Sequence, residues 1–75
     1  MTQYKGEGRG EQYRSFEGKS QYVGTSTESV TDAIRAAVHF SDVEDGTKLV
    51  VERIEVTTEG DPHVSEYIVV LTPAG

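Results

Sequence analysis

The feature that most constrains the fold is one amphipathic helix pattern in the middle of the chain. Apolar residues recur at intervals of three and four positions through Val30, Ala33, Ile34, Ala37 and Val38. This spacing places them along one stripe of an α-helix. A helix with one apolar stripe must bury that stripe against another element. The sequence therefore predicts a single helix packed on strands.

Signals before this stripe predict where the helix begins. Gly24 interrupts the preceding segment, and Thr25 and Ser26 are two possible N-caps. Thr25 is also followed three residues later by Glu28. This spacing fits a capping box, in which the two side chains bond the first free backbone amides of a helix. We expect a helix from about Thr27 to about Phe40.

Three segments are rich in β-branched and aromatic residues, which is typical of strands. They are Tyr13 to Val23, Lys48 to Thr58 and Val64 to Thr72. Gly18 within the first segment indicates a bulge, a bend or a close backbone contact. The third segment contains the run Ile68 to Leu71, which has no polar residue. Such a run predicts burial on both faces of the strand.

This order of elements predicts the fold class. It is α+β, with β-α-β-β order and a three-stranded antiparallel sheet packed on one helix. Antiparallel pairing throughout places the third predicted strand in the middle, in the order 1-3-2. The helix covers one face of that strand, and a neighbouring copy of the chain is the simplest cover for the other. We therefore expect a homo-oligomer.

The size and composition of the chain favour the same conclusion. Its 75 residues fit one domain, only 35% of them are hydrophobic, and there is no cysteine. Disulfides and thiolate metal sites are thus excluded, so oligomerisation is the expected stabiliser. Residues 1–12 hold three glycines among charges and are expected to form a flexible, dispensable tail. Residues 13–75 are expected to form the folded domain.

The charge of the chain bears on its partners. The formal net charge is −6, and an acidic surface repels phosphate backbones and anionic membranes. No apolar run is long enough to cross a bilayer. The first residues lack the apolar stretch of a signal peptide. We expect neither nucleic acid nor membrane as a partner, and a cytoplasmic location.

The side chains that could carry chemistry form no recognisable site. His39 and His63 each have acidic neighbours, and residues 42–46 form an acidic segment. Neither histidine has the ligand spacing of a zinc site, and the acidic segment lacks that of a calcium-binding loop. Weak calcium or magnesium binding at a subunit junction stays open. No serine has a base and an orienting acid in a known motif. We predict no catalytic residue, no metal ligand and no enzymatic activity.

Two short stretches resemble the dodecins, a family of small flavin-binding proteins. They are GTSTESVTDAI at Gly24–Ile34 and the pair Glu66-Tyr67. In dodecins the first strand ends in Gly-Thr-Ser, and a serine and an amphipathic helix follow two residues later. The resemblance covers residues 16–72. It implies a hollow homododecamer of subunits with a curled sheet and flavin bound between subunits.

The resemblance also gives the candidate ligand-binding positions. Dodecins stack a Trp of the second strand on the flavin ring and hydrogen-bond the flavin through a Gln of the third. The Trp position falls at Val50, or at Leu49 if one residue is lost, and the Gln position falls at Ile68, beside Tyr67. Valine and isoleucine can neither stack on the ring nor bond its polar edge. The ligand is therefore unknown, with flavin binding expected to be weak.

These observations lead to two hypotheses for function. The first is a dodecin-like oligomeric assembly that binds, stores or sequesters a small molecule. The alternative is a structural or interaction assembly of the same fold that holds no small-molecule ligand.

Overall fold

The computed structural model describes residues 6–14, 18–41 and 43–74. These residues form four strands and one helix. In chain order they are β1 (Arg9–Arg14), β2 (Ser20–Ser26), α1 (Val30–Ser41), β3 (Leu49–Thr58) and β4 (Val64–Pro73). All neighbouring strands are antiparallel, and the sheet order is β1-β2-β4-β3. The helix packs on one face of the sheet, which we call the helix side, and the opposite face is the outer face.

The predicted three-stranded sheet in the order 1-3-2 is wrong, because the sheet has a fourth strand. The segment Tyr13 to Val23, predicted as one strand, belongs to two strands that form an antiparallel hairpin. Gly18 lies in their connection with a φ of 82°, a left-handed conformation that glycine adopts without steric cost. Gly18 therefore lies at a bend, one of the three predicted alternatives, but this bend lies between two strands and not within one.

The new strand β1 also overlaps the segment expected to be a tail. Arg9 to Gln12 pair with β2, so the expected domain boundary before residue 13 falls within a strand. The flexibility expected of residues 1–12 stays a prediction. Residues 1–5, including Tyr4, lie outside the described residues.

The apolar strand β4 lies between β2 and β3. Pairing and alternation place Tyr67, Val69 and Leu71 on the helix side, and Val70 on the outer face. Val69, Val70 and Leu71 are all buried within the single chain. A second copy is therefore not needed to cover Val70, which corrects the argument from the apolar run. Within the part of the chain that the structure describes, one cluster of buried residues on the helix side contains Tyr22, Ala33, Ala37, Val69 and Leu71.

The helix begins at Val30, three residues later than the sequence predicts. Ser29 is the N-cap, since its Oγ accepts a hydrogen bond from the backbone N–H of Asp32 at 3.0 Å. The Oγ of Ser26 accepts a bond from the backbone N–H of Glu28 at 2.9 Å and donates to Asp32 Oδ2 at 2.7 Å. Two serines thus cap the helix, in place of the predicted box of Thr25 with Glu28.

Two glycines allow the helix to lie directly on the strand backbones. Gly10 and Gly24 are opposite each other on β1 and β2. A Cβ on Gly24 would lie 1.9 Å from the carbonyl oxygen of Ala33, and one on Gly10 would lie 2.6 Å from that of Ala36. Only glycine fits at such distances. The contact also turns Ala36 inward, whereas Val38, predicted in the buried stripe, is 43% exposed.

Candidate functional site

Strand β3 is exposed along nearly its whole length. The helix packs on β1, β2 and β4, and β3 is the edge strand on the far side of β4. Three of its apolar residues point to the helix side, because they lie opposite helix-side residues of β4. We call Val51, Ile54 and Val56 the β3 shelf. Each is between 44% and 50% exposed.

The apolar composition of the β3 shelf is unusual for an edge strand that faces water. Exposed edge strands normally carry charges or prolines on such a face, because an apolar edge invites association with other chains. Here the charged residues of β3 point to the outer face instead, and the shelf is uniformly β-branched. Contiguous exposed apolar residues of this kind are typical of an interaction surface.

A polar network lies on the outer face of the sheet, opposite the β3 shelf. Gln21 Nε2 on β2 donates a hydrogen bond to Glu52 Oε2 on β3 at 3.1 Å, and this pair spans β4. Arg53 forms two ion pairs on β3. Its Nη1 lies 3.4 Å from Glu52 Oε2, and its Nε lies 3.4 Å from Glu55 Oε2. Val70, on the outer face of β4, lies between Val23 of β2 and Arg53 of β3 and is only 2% exposed.

The four predicted ligand-binding residues do not come together in one chain. Leu49 and Tyr67 are half-buried against the core. Val50 lies opposite Thr72 on the outer face, whereas Ile68 lies opposite Glu55. Val50 and Ile68 thus share a face but are separated by four positions along β4, or about 13 Å.

A site that uses both Val50 and Ile68 on one small ligand would therefore need a second subunit. The ligand-binding role of all four positions stays a prediction.

The β3 shelf itself was missed in the sequence because of a β-bulge. Strict alternation would place Val51 and Ile54 on opposite faces. The bulge between Val51 and Arg53 adds one residue, Glu52, to β3. A bulge of this kind shifts the alternation, so that Val51 and Ile54 share a face. The three apolar residues were visible in the sequence, but their common face was not.

The two histidines lie outside the β3 shelf. His39 is in the last turn of α1, with its ring edge-on to Phe40 at a centroid distance of 4.6 Å. His63 is exposed just before β4. Within residues 6–14, 18–41 and 43–74, no three His, Asp or Glu side chains form a group that could hold a metal ion. Asp42 of the acidic segment lies outside these ranges.

One ionisable group on the outer face of β1 has a shifted pKa. The Tyr13 hydroxyl donates a hydrogen bond to the Glu11 carboxylate. This bond and the negative charge of the carboxylate raise the pKa of Tyr13 above its ordinary value. The phenol therefore stays protonated at neutral pH and supplies a hydrogen-bonding surface group, not a base.

Comparison of the chain with protein-family models, with curated proteins and with solved structures found no match. The likeness to the dodecins therefore rests on Gly24–Ile34 and Glu66-Tyr67 alone. No helix within the described part of the chain is long and apolar enough to cross a membrane.

Proposed function

We propose that the chain is the subunit of a homo-oligomeric, dodecin-like assembly that holds a small molecule between subunits without transforming it. The observation that carries this proposal is the β3 shelf. Its three β-branched side chains lie on the helix side of the sheet and are about half-exposed. A chain of this length is too small to have a large core of its own.

The energetics support burial of the shelf by other subunits. Covering each half-exposed Val or Ile contributes about 1 kcal/mol, roughly half the value for burying a fully exposed side chain. Two copies that cover each other's shelves therefore gain about 6 kcal/mol. Association costs at least about 4 kcal/mol in lost translational and rotational freedom. The free energy gained by burying the two shelves is thus comparable to the free-energy cost of association. A stable assembly therefore needs further contacts.

The shape beside the shelf supports a small-molecule site. The helix covers β1, β2 and β4 but leaves β3 as a floor beside it, bordered by the half-buried Tyr67. A second subunit laid over this floor would enclose a slot that is mostly apolar with a few polar groups, as ligand sites are. Such a slot suits a flat, partly apolar molecule, and a flavin is one such molecule.

A flavin titration tests the two family-derived positions, Val50 and Ile68, which lie on the outer face and would form a site separate from the slot over the β3 shelf. Wild-type protein should bind riboflavin on the order of micromolar or weaker, because Val50 and Ile68 can neither stack on the ring nor bond its polar edge. The double variant Val50→Trp with Ile68→Gln should bind more tightly and quench flavin fluorescence if two subunits combine these positions. Thr57→Trp with Ile68→Gln is the matched control, since Thr57 lies on the same face at the other end of β3.

Two outcomes of the titration would count against this assignment. Nanomolar binding by the wild type would mean that other residues form the site. Equal affinities for both double variants, with each still folded, would remove the support for the Val50 and Ile68 positions.

The second candidate function is an assembly of the same fold with no small-molecule ligand. It is favoured by the aliphatic residues at Val50 and Ile68, which offer a ligand no specific bond. Native mass spectrometry of the purified protein separates the two candidates. A small molecule released in a fixed ratio to subunits supports storage, whereas a ligand-free assembly supports the second candidate.

A further inference from the structure

We propose that two copies of the chain join edge to edge, by antiparallel pairing of β3 with β3 about a two-fold axis at Ile54. The pairing would extend the sheet to eight strands, with both helices on the same side. This inference rests on the proposed assembly and names the contact that starts it. Among the described residues, β3 has β4 on one edge and no strand on the other.

The choice of β3 over the opposite edge strand follows from their side chains. β1 has six residues, and Tyr13 is the one large apolar group among them. β3 has ten residues and carries the β3 shelf. Pairing through β3 brings apolar side chains of the two copies into contact and pairs the free backbone groups of the edge, whereas pairing through β1 brings mainly polar side chains together.

Alternation along the strand restricts the position of the two-fold axis. Residues directly opposite each other in an antiparallel pair point to the same face. An axis midway between two adjacent residues of the stretch Arg53–Thr57 would set a shelf residue opposite an outer-face residue. The axis must therefore pass through a residue.

Charge selects among the residue-centred positions. An axis at Ile54 places Arg53 of each copy opposite Glu55 of the other, which gives two pairs of opposite charge. An axis at Arg53 would place two arginines opposite each other, and an axis at Glu55 would place two glutamates opposite each other. Like charges directly opposite destabilise a strand pair. An axis at Val56 would set Glu55 opposite the uncharged Thr57. Of these positions, Ile54 alone places opposite charges beside the axis.

The paired geometry also merges the two shelves. Ile54 lies opposite Ile54 of the second copy, and the other shelf residues extend on both sides along the helix side of the joined sheet. Backbone hydrogen bonds hold the two strands together, and the merged shelves form one apolar surface that further subunits of the proposed assembly would cover. The bulges beside Glu52 and at Thr57/Thr58 confine regular pairing to the centre of the strand, which limits uncontrolled edge association.

Single-cysteine variants test the register, because the natural chain has no cysteine. Ile54→Cys places two thiols opposite each other across the axis, within disulfide reach. Val56→Cys is the matched control, since Val56 is on the same face and equally exposed. In the proposed register its two copies lie about 13 Å apart. Under mild oxidation, Ile54→Cys should form a linked dimer at least about ten-fold faster than Val56→Cys.

Charge reversal tests the pairing without cysteine. Arg53→Glu should raise the dissociation constant on the order of ten-fold, because two attractive pairs become repulsive. Arg53→Glu combined with Glu55→Arg should restore association. Arg35→Glu makes the same charge change at an exposed site of α1 and should leave association unchanged. Sedimentation over a dilution series gives these constants, and a thermal melt confirms that each variant is folded.

The outcomes separate this inference from the proposed function. An oligomeric wild type in which Val56→Cys crosslinks as fast as Ile54→Cys, or faster, overturns the register and leaves the assembly standing. An oligomer in which neither variant crosslinks overturns the edge pairing. A wild type that is monomeric at all concentrations overturns the proposed function, and the edge pairing fails with it.

Discussion

At the scale of residues, two glycines allow the helix to pack directly on the backbone of the sheet. Gly24 and Gly10 stand opposite each other beneath α1, where a Cβ would collide with helix carbonyl oxygens. Alanines on the helix complete the contact, and Ala33, Ala36 and Ala37 are 0–1% exposed. Small residues on both surfaces thus replace the larger core that a chain of this length lacks.

Gly24→Ala should be severely destabilising. The added Cβ has no room beside the Ala33 backbone, so the helix must shift, and the free energy of unfolding should fall by about 3 kcal/mol. Gly46→Ala is the control, because Gly46 has open space around it and a φ of 88°. It should cost about 1 kcal/mol from backbone strain alone. Urea unfolding measures both, and equal losses would argue against the close contact.

The helix cap gives a second prediction at this scale. Ser29→Ala should lower the free energy of unfolding by about 1 kcal/mol, because the backbone N–H of Asp32 loses its acceptor. Glu28→Ala removes the acidic partner of the capping box predicted from the sequence. Glu28 is exposed, and its replacement should change stability by less than about 0.5 kcal/mol. The reverse ranking would favour the predicted box over the observed cap.

At the scale of elements, periodicity and β-branched residues were enough to predict α1, β3 and β4 to within a few residues. They were insufficient for β1, whose sequence RGEQYR has little strand character. Its place in the sheet depends on Gly10 fitting beneath the helix, a contact distant in sequence. The candidate site could not be predicted for a comparable reason. The bulge at Glu52 places Val51 and Ile54 on the same face of β3, and the sequence does not show this bulge.

Deletion of residues 1–12 separates the sequence-based expectation from the observed sheet. The sequence predicts a dispensable tail, whereas the structure pairs Arg9–Gln12 with β2 and packs β1 on the helix. Loss of these contacts should lower the melting temperature by several degrees, at about 4–8 °C per kcal/mol for a domain of this size. Glu11→Ala, an exposed change within β1, should leave it nearly unchanged. An unchanged midpoint after deletion would restore the tail interpretation.

At the scale of the whole molecule, the helix covers one part of the sheet and leaves the β3 edge uncovered. The described chain measures 37 × 33 × 16 Å, so it is flat, with β3 along one side. A flat subunit with an apolar strip at one edge is suited to build a larger shell from repeated contacts. The acidic net charge of −6 would oppose further aggregation of such a proposed shell, because like-charged particles repel each other.

The native mass of the full chain tests the central claim most directly. Light scattering after size exclusion, at micromolar concentration and physiological salt, should give a discrete multimer of the 8.2 kDa subunit. Twelve subunits is the number that the dodecin resemblance implies. A single species at the monomer mass, unchanged on concentration, would contradict the account, since the β3 shelf would then face water with no partner.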